Sequence, residues 1–315
     1  MRYRRFKGIE KDWSAITFGC WQIAPSEGWG AICSEGAADG VVKAALDSGI
    51  TAFDTAEGYG DGESEKRLGK ALGSNKDDVI IISKIWPDAK LDMDAYRERL
   101  DGTLHALQRD YVDVYLVHWP GDNFDSPYKS TQLCDLMVSL VESGKATRVG
   151  LSNFHKNDLS LLADGLRHFS FNEVPYSLLD RRYDGETRLI CEGHGLAYIA
   201  YSPTGKGLLA GRVDAEARSY PARSLDPHYL EPRFSESLKV LEVVQEIAVE
   251  CEVQPIAVAL SWVLTRPNLW TVIIGSRKAE QVSGFAIAGD LELNVDQLMR
   301  LEAASDAYLE KFPQN

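Results

Sequence analysis

Short apolar runs rich in valine, isoleucine and aromatic residues recur along the whole chain, each separated from the next by a stretch of helical periodicity. They fall at 15–18, 50–53, 79–83, 112–117, 148–152, 169–174, 196–201 and 270–274. Continuous apolar runs of this length mark strands buried on both faces, as in a parallel sheet. The intervening stretches carry helical stripes. Tyr96, Leu100, Leu104 and Leu107 make one apolar face, and Leu238, Leu241, Val244 and Ile247 make another that drifts slowly round the helix. Gly49 and Gly144 stand where helix C-caps are expected.

Strand and helix alternating from end to end imply a parallel sheet with helical crossovers. Eight such units in 315 residues favour a closed (β/α)8 TIM barrel spanning 1–315 as a single domain. A doubly wound open sheet would carry a G-x-G-x-x-G turn after its first strand. Here that turn reads Phe18-Gly19-Cys20-Trp21. The polar stretch 1–12 is expected to form an N-terminal β-hairpin that plugs the barrel floor, and 295–309 a C-terminal helix. The segment 204–232, rich in Gly, Pro and Arg, reads as a long functional loop.

A net charge of −13 argues against nucleic acid as the main partner. The longest apolar run, around 256–264, is too short to span a bilayer, and no leader-like segment opens the sequence. Five cysteines without a C-x-x-C pair suit a reducing compartment. A cytoplasmic protein, without a metal site, acting on a small molecule and more readily a monomer than an oligomer, is the expectation.

In a barrel, side chains at the C-terminal strand ends converge on the active site. The polar residues that end the runs are Asp54, Lys84, His118, Ser152 with Asn153, Glu173 and Tyr201. A charge at the rim of an apolar core is costly unless paired, so a carboxylate, an amine and an imidazole at three successive strand ends imply mutual pairing. Singly, each has a plain structural reading: a capping Asp54, a snorkelling Lys84, a satisfied structural His118. The loop Glu57-Gly58-Tyr59-Gly60-Asp61-Gly62 has a weak likeness to a phosphate-binding glycine run.

The stretch Phe53-Asp54-Thr55-Ala56-Glu57-Gly58-Tyr59-Gly60, with Ser64-Glu65 to Gly69 after it, resembles the signature of the aldo-keto reductases. Tyr111 to Pro120, Gly150-Leu151-Ser152-Asn153-Phe154, Tyr201-Ser202-Pro203 with 205–211, and Ile274-Gly275-Ser276-Arg277 with Gln281 resemble later motifs of that family, in order. The resemblance implies a catalytic tetrad of Asp54, Tyr59, Lys84 and His118. Tyr59 would give and take the proton, its acidity raised by the Lys84 ammonium. Asp54 would pair with Lys84, and His118 would orient the substrate carbonyl. Hydride would come from NADPH, with NADH less favoured.

The same resemblance places Gly19, Cys20 and Trp21 near the nicotinamide, Ser152 and Asn153 on its carboxamide, and Tyr201 against its ring in the motif Tyr201-Ser202-Pro203. It places Gly205, Gly207 and Leu208 over the pyrophosphate, Gly275 and Gln281 in the C-terminal segment that clamps the cofactor, and Ser276 and Arg277 on the adenosine 2′-phosphate, where a guanidinium fork fits. Three positions depart from the family: Glu173 stands where a glutamine usually holds the carboxamide, Ile274 where proline precedes the glycine, and Phe285 where asparagine meets adenine. A carboxylate cannot donate to the amide carbonyl unless protonated.

The substrate would be a small aldehyde or ketone, or the corresponding alcohol, with Trp21, Trp29, Trp86 and Trp119 at the mouth to stack on a sugar or line an apolar pocket. Phe124 and the loop arginines Arg212, Arg218 and Arg223 lie in the same loops. Two other readings compete. A class I aldolase would use Lys84 as a Schiff base, which needs a depressed amine pKa. An NADPH-binding regulatory sensor with little turnover, as the potassium-channel β subunits of the family are, would keep the tetrad.

Overall fold

The computed structural model describes residues 1–30, 32–121 and 124–314. A two-stranded antiparallel hairpin, β1 (Tyr3–Arg4) with β2 (Trp13–Ser14), precedes eight parallel strands. These are β3 (Ile16–Gly19), β4 (Ala52–Asp54), β5 (Ile80–Ile85), β6 (Val112–Val117), β7 (Ala146–Ser152), β8 (Phe171–Pro175), β9 (Ala197–Tyr201) and β10 (Leu269–Ile274). They pair in chain order, and β10 closes on β3 to complete the barrel.

The crossovers are helical. In chain order they are α1 (Glu35–Asp47), α2 (Glu63–Leu72), α3 (Met93–Leu107), α4 (Pro127–Glu142), α5 (Lys156–Leu162) and α6 (Glu186–His194). After β9 come the short α7 (Ala215–Ser219) and α8 (Pro221–Ser224), then α9 (Arg233–Glu250) and α10 (Pro255–Leu264). After β10 come α11 (Val282–Ala286) and α12 (Val295–Lys311). Local chemistry sets several starts. Ser34 and Asp92 accept from the third amide beyond them, at 3.2 and 2.9 Å, and Asn294 forms a capping box with Gln297. Gly49 and Gly144, both at φ 77°, take the left-handed turn after α1 and α4.

Residue parity sorts each strand between two cores. Phe53, Ile81, Tyr115, Leu151 and Val174 pack outward under the helices. Ala52, Ile80, Ile82, Val114, Leu116, Phe171, Ile199 and Ile273 fill the barrel interior. Ile9 and Trp13 join this inner core with Phe6 beside them, so the floor plug is apolar and extends through Ser14, past the polar stretch 1–12. The segment 204–232 is likewise no bare loop, since it contains α7, α8 and two further short helical turns. No single helix among the described residues is long and apolar enough to cross a membrane; the bent pair α9 and α10 passes by length and composition, but α10 is a buried core helix.

The outward face of β5 carries one titratable contact. Glu65 of α2, almost fully buried, lies 2.5 Å from the Ser83 hydroxyl, and burial pushes its carboxyl up to about 7. A carboxyl raised in the folded state adds stability that is full below the unfolded value near 4.5 and is lost as pH climbs to about 7. Glu65→Gln should therefore match the wild type in urea unfolding at pH 4.5 and exceed it at pH 8 by about 3 kcal/mol. Parallel stability curves for the two proteins would refute this role.

Candidate active site

The parity that packs the lower barrel also builds the upper layer. On β5, Ile80 and Ile82 face inward, and the next inward position is Lys84. Ala52 and Asp54 alternate likewise on β4, Phe171 and Glu173 on β8, and Ile199 and Tyr201 on β9. His118 immediately follows β6. One turn after β4, the glycine-rich loop brings in Tyr59. Its glycines admit close neighbours: a Cβ on Gly58 would sit 3.2 Å from the Trp86 ring, and one on Gly60 3.0 Å from Pro25. That packing, beside Tyr59, gives these glycines a structural reason of their own. Glu57 fixes the facing loop by accepting from the Trp86 amide (2.5 Å) and from Arg99 (2.8 and 2.6 Å).

Lys84 is completely buried. Its Nζ donates to Asp54 Oδ2 at 2.5 Å, the Thr55 carbonyl at 3.0 Å and the Tyr59 hydroxyl at 3.4 Å. Glu173 Oε1 stands 3.3 Å away as a second carboxylate on the same ammonium. Burial opposes the charge on Lys84, but Asp54 and Glu173 outweigh it and hold the amine well above its usual value. This is the reverse of what a Schiff-base lysine needs, and it removes the aldolase reading.

The expectation for Tyr59 is corrected. Burial raises its phenol above the ordinary value, and the pull of Lys84 in the opposite direction does not compensate because Asp54 and Glu173 add negative charge. The group stands as a protonated acid. Burial, helped by Lys84, drives His118 down to about 2, so its imidazole is neutral. The His118 Nδ1 is buried without a partner among the described residues, and the ring packs edge-on against Tyr59 (5.5 Å) and Trp86 (5.0 Å).

Beside these groups Tyr201 donates to Asn153 Oδ1 at 2.7 Å. Asn153 Nδ2 donates to the His118 carbonyl (3.1 Å) and Ser152 Oγ (3.0 Å), and Ser152 donates to the Glu173 carbonyl (3.1 Å). Asn153 at φ 66° and Ser202 at φ 52° hold left-handed backbone here, a cost that clusters at functional sites. Above lies a cavity of about 670 Å³. Asp54, Tyr59 and His118 line it, with Lys84 behind them. Gly19, Trp21, Ser152, Asn153, Glu173, Tyr201, Ser202, Pro203, Gly207, Gly275, Ser276 and Gln281 also line it. Gly275 must be glycine, since a Cβ there would lie 2.4 Å from the Gly19 carbonyl oxygen.

Four expected cofactor residues stand beside or behind lining residues, next in sequence to Gly19, Trp21, Thr204, Gly207 or Ser276. Cys20 and Leu208 are fully buried, and neither Gly205 nor Arg277 contributes to the lining. Three of the four expected tryptophans, Trp21, Trp86 and Trp119, are about two-fifths exposed at the mouth (40%, 40% and 42%). Trp29 lines the wall but is buried under the Arg223 guanidinium at 5.5 Å. Lys206, Arg212 and Arg223 bring positive charge to the wall, whereas Arg218 lies over the Phe234 ring at 3.9 Å. Gln22, Thr204, Lys206 and Gln254 were missed. Gln22 and Thr204 directly follow β3 and β9 motifs and could have been found from loop position alone, whereas Gln254 precedes α10 and carries no local signal.

A family model described as the aldo/keto reductase family matches residues 15–306. The chain belongs to the aldo/keto reductase family. An uncharacterized oxidoreductase of Mycobacterium tuberculosis is 31% identical over 314 residues, covering 98% of this chain and 94% of that protein. Aldo-keto reductase YhdN of Bacillus subtilis is 30% identical over 291 residues, covering 89% and 85%. Among solved structures, an aldo/keto reductase from Klebsiella pneumoniae in complex with NADP and acetate superposes with a TM-score of 0.75 at 26% identity, covering 98% of this chain and 94% of that one. This aldo/keto reductase therefore shares with its relatives both the barrel and the oxidoreductase class.

Proposed function

We propose that this protein reduces the carbonyl of a small aldehyde or ketone with NADPH, Tyr59 supplying the proton. The observation that carries the reading is the meeting of a protonated phenol, a buried ammonium and a neutral imidazole beside one cavity with exposed aromatic rings.

The cavity suits a dinucleotide phosphate. Arg212 and Arg223 offer cations to phosphates on a chain of net charge −13, with Lys206, paired to Asp226 at 2.9 Å, beside them. Pro255, Ile256 and Phe285 give an apolar seat for a base, Phe285 in the place of the usual asparagine. Glu173 lines the cavity beside Asp54, and its buried Oε2 has no donor among the described residues. Ser152, Asn153, Glu173 and Tyr201 would hold the nicotinamide, with Gly19, Cys20 and Trp21 beside them. Gly205, Gly207 and Leu208 would shape the strap over the pyrophosphate. Gly275, Ser276, Arg277 and Gln281 would take the adenosine end, where Ser276 donates to Gln281 Oε1 at 2.7 Å. When bound, the nicotinamide supplies hydride.

The protein's part is to orient the substrate and move its proton. With Nδ1 sealed away, the His118 tautomer protonated at Nε2 leaves its donor for the substrate oxygen. Tyr59 gives its proton to the developing alkoxide, and Lys84 stabilises the phenolate left behind. Trp21, Trp86 and Trp119 offer flat faces to a small sugar or apolar aldehyde.

NADPH oxidation against a panel of aldehydes, ketones and sugars tests the proposal. Turnover with at least one carbonyl is expected. Tight NADPH binding with no turnover across the panel would defeat it in favour of a sensor. Arg277→Ala is expected to weaken NADPH by about tenfold or more while sparing NADH, as loss of a charged contact to the 2′-phosphate requires. Equal loss for both dinucleotides would remove that contact.

A further inference from the structure

The buried layer holds a surplus carboxyl group. Asp54 and Glu173 are each at most 3% exposed and share the single ammonium of Lys84. The three Lys84 donors are already committed to Asp54, Thr55 and Tyr59, and Asp54 holds the closest contact, 2.5 Å against 3.3 Å for Glu173. One cation neutralises one carboxylate, and a second unpaired charge at this depth is costly. Glu173 is the less well paired of the two: its carboxyl meets that of Asp54, where only a protonated partner can donate, and its Oε2 has no donor among the described residues.

The other groups that face it do not supply a compensating charge. Tyr59 and Tyr201 are half-buried phenols raised above their usual values, and His118 is neutral. Asn153 donates to Ser152 and to the His118 carbonyl, and Ser152 donates to the Glu173 carbonyl, so neither has a donor for the Glu173 carboxyl. Burial first, and then the charge of Asp54, push the Glu173 carboxyl well above the ordinary carboxylate range.

We propose that Glu173 is a redox-linked proton site. It is the neutral acid when the cavity is empty or holds the uncharged reduced nicotinamide, and a carboxylate when it meets the cationic oxidised ring. The inference rests on the nicotinamide placement given under Proposed function. Only the Glu173 O–H bond breaks, its proton passes to solvent, and the carboxylate left behind compensates the incoming ring charge. The glutamate that departs from the family pattern thus acts as a neutral amide substitute in one cofactor state and as a counter-ion in the other.

Calorimetric titration of NADP⁺ and of NADPH, at pH 7 in buffers of differing ionisation enthalpy, counts the protons exchanged on binding. The adenosine 2′-phosphate is common to both, so its contribution cancels in the difference. NADP⁺ should release close to one proton more than NADPH. The ratio of the NADPH Kd to the NADP⁺ Kd should then rise by up to tenfold per pH unit. Glu173→Gln should abolish both differences while still binding NADPH. Equal proton counts in the wild type would overturn the proposal without help from any variant. A difference that persists in Glu173→Gln would overturn it too. Both outcomes are distinct from failure of the functional reading, which would show as no dinucleotide binding or no carbonyl turnover.

Discussion

Tyr59→Phe is expected to lower kcat/KM for carbonyl reduction by roughly 10²- to 10⁴-fold, the usual span for losing a positioned general acid. The substitution removes one oxygen, 3.4 Å from Lys84 Nζ, and leaves a ring packed against His118 and Trp21. The cavity wall keeps its shape, so the Kd for NADPH, read from quenching of tryptophan fluorescence, should hardly move. A variant with full turnover would mean that another group delivers the proton. A variant that loses cofactor affinity in step with rate would mean that Tyr59 serves binding instead.

Lys84→Met should be the most damaging single change, and in two ways. Activity should fall by a factor similar to that of Tyr59→Phe, because the phenolate left after proton transfer loses its cation. Stability should fall as well, since Asp54 and Glu173 lose the charge they share. Removing one partner from a buried ion pair costs about 3–5 kcal/mol. The penalty depends on pH with a definite sign. Without Lys84 both carboxyls prefer the protonated form still more strongly, so the variant recovers stability as pH falls and loses it as pH rises. Urea unfolding at pH 5 and pH 8 checks this, with the larger deficit expected at pH 8. A deficit of the same size at both values would point to lost packing of the lysine stem.

The strands were legible because they are buried on both faces and six of the eight carry a polar residue at or beside their C-terminal end. Runs such as 79–83 before Lys84 and 112–117 before His118 therefore announced both barrel and rim. The pairing of Lys84 with Asp54 was legible too, because their strands are consecutive and paired. The second carboxylate was not. Glu173 reaches Lys84 across the barrel from β8, a strand that does not pair with β5, and no local spacing reports a contact through the interior. For the same reason the acidity of Tyr59 was misjudged. One neighbouring cation could be read from the motif, but the depth of burial and the extra negative charge belong to the closed barrel. The segment 204–232 hid its short helices because three glycines and three prolines interrupt any helical period in it. Its tie to Trp29 runs through Arg223, 194 positions along the chain, beyond the reach of any sequence window.

The inward and outward alternation along β5 has one last consequence. Sliding that strand by a single residue against β4 and β6 would thrust the Lys84 ammonium among the greasy undersides of the helices and swing Ile81, Ser83 and Ile85 into the bore. Asp54 would then face no cation, and Glu65 would lose its serine. The reactive groups thus act as a proofreading device for strand alignment: a mispaired barrel is penalised by the very charges that perform the chemistry.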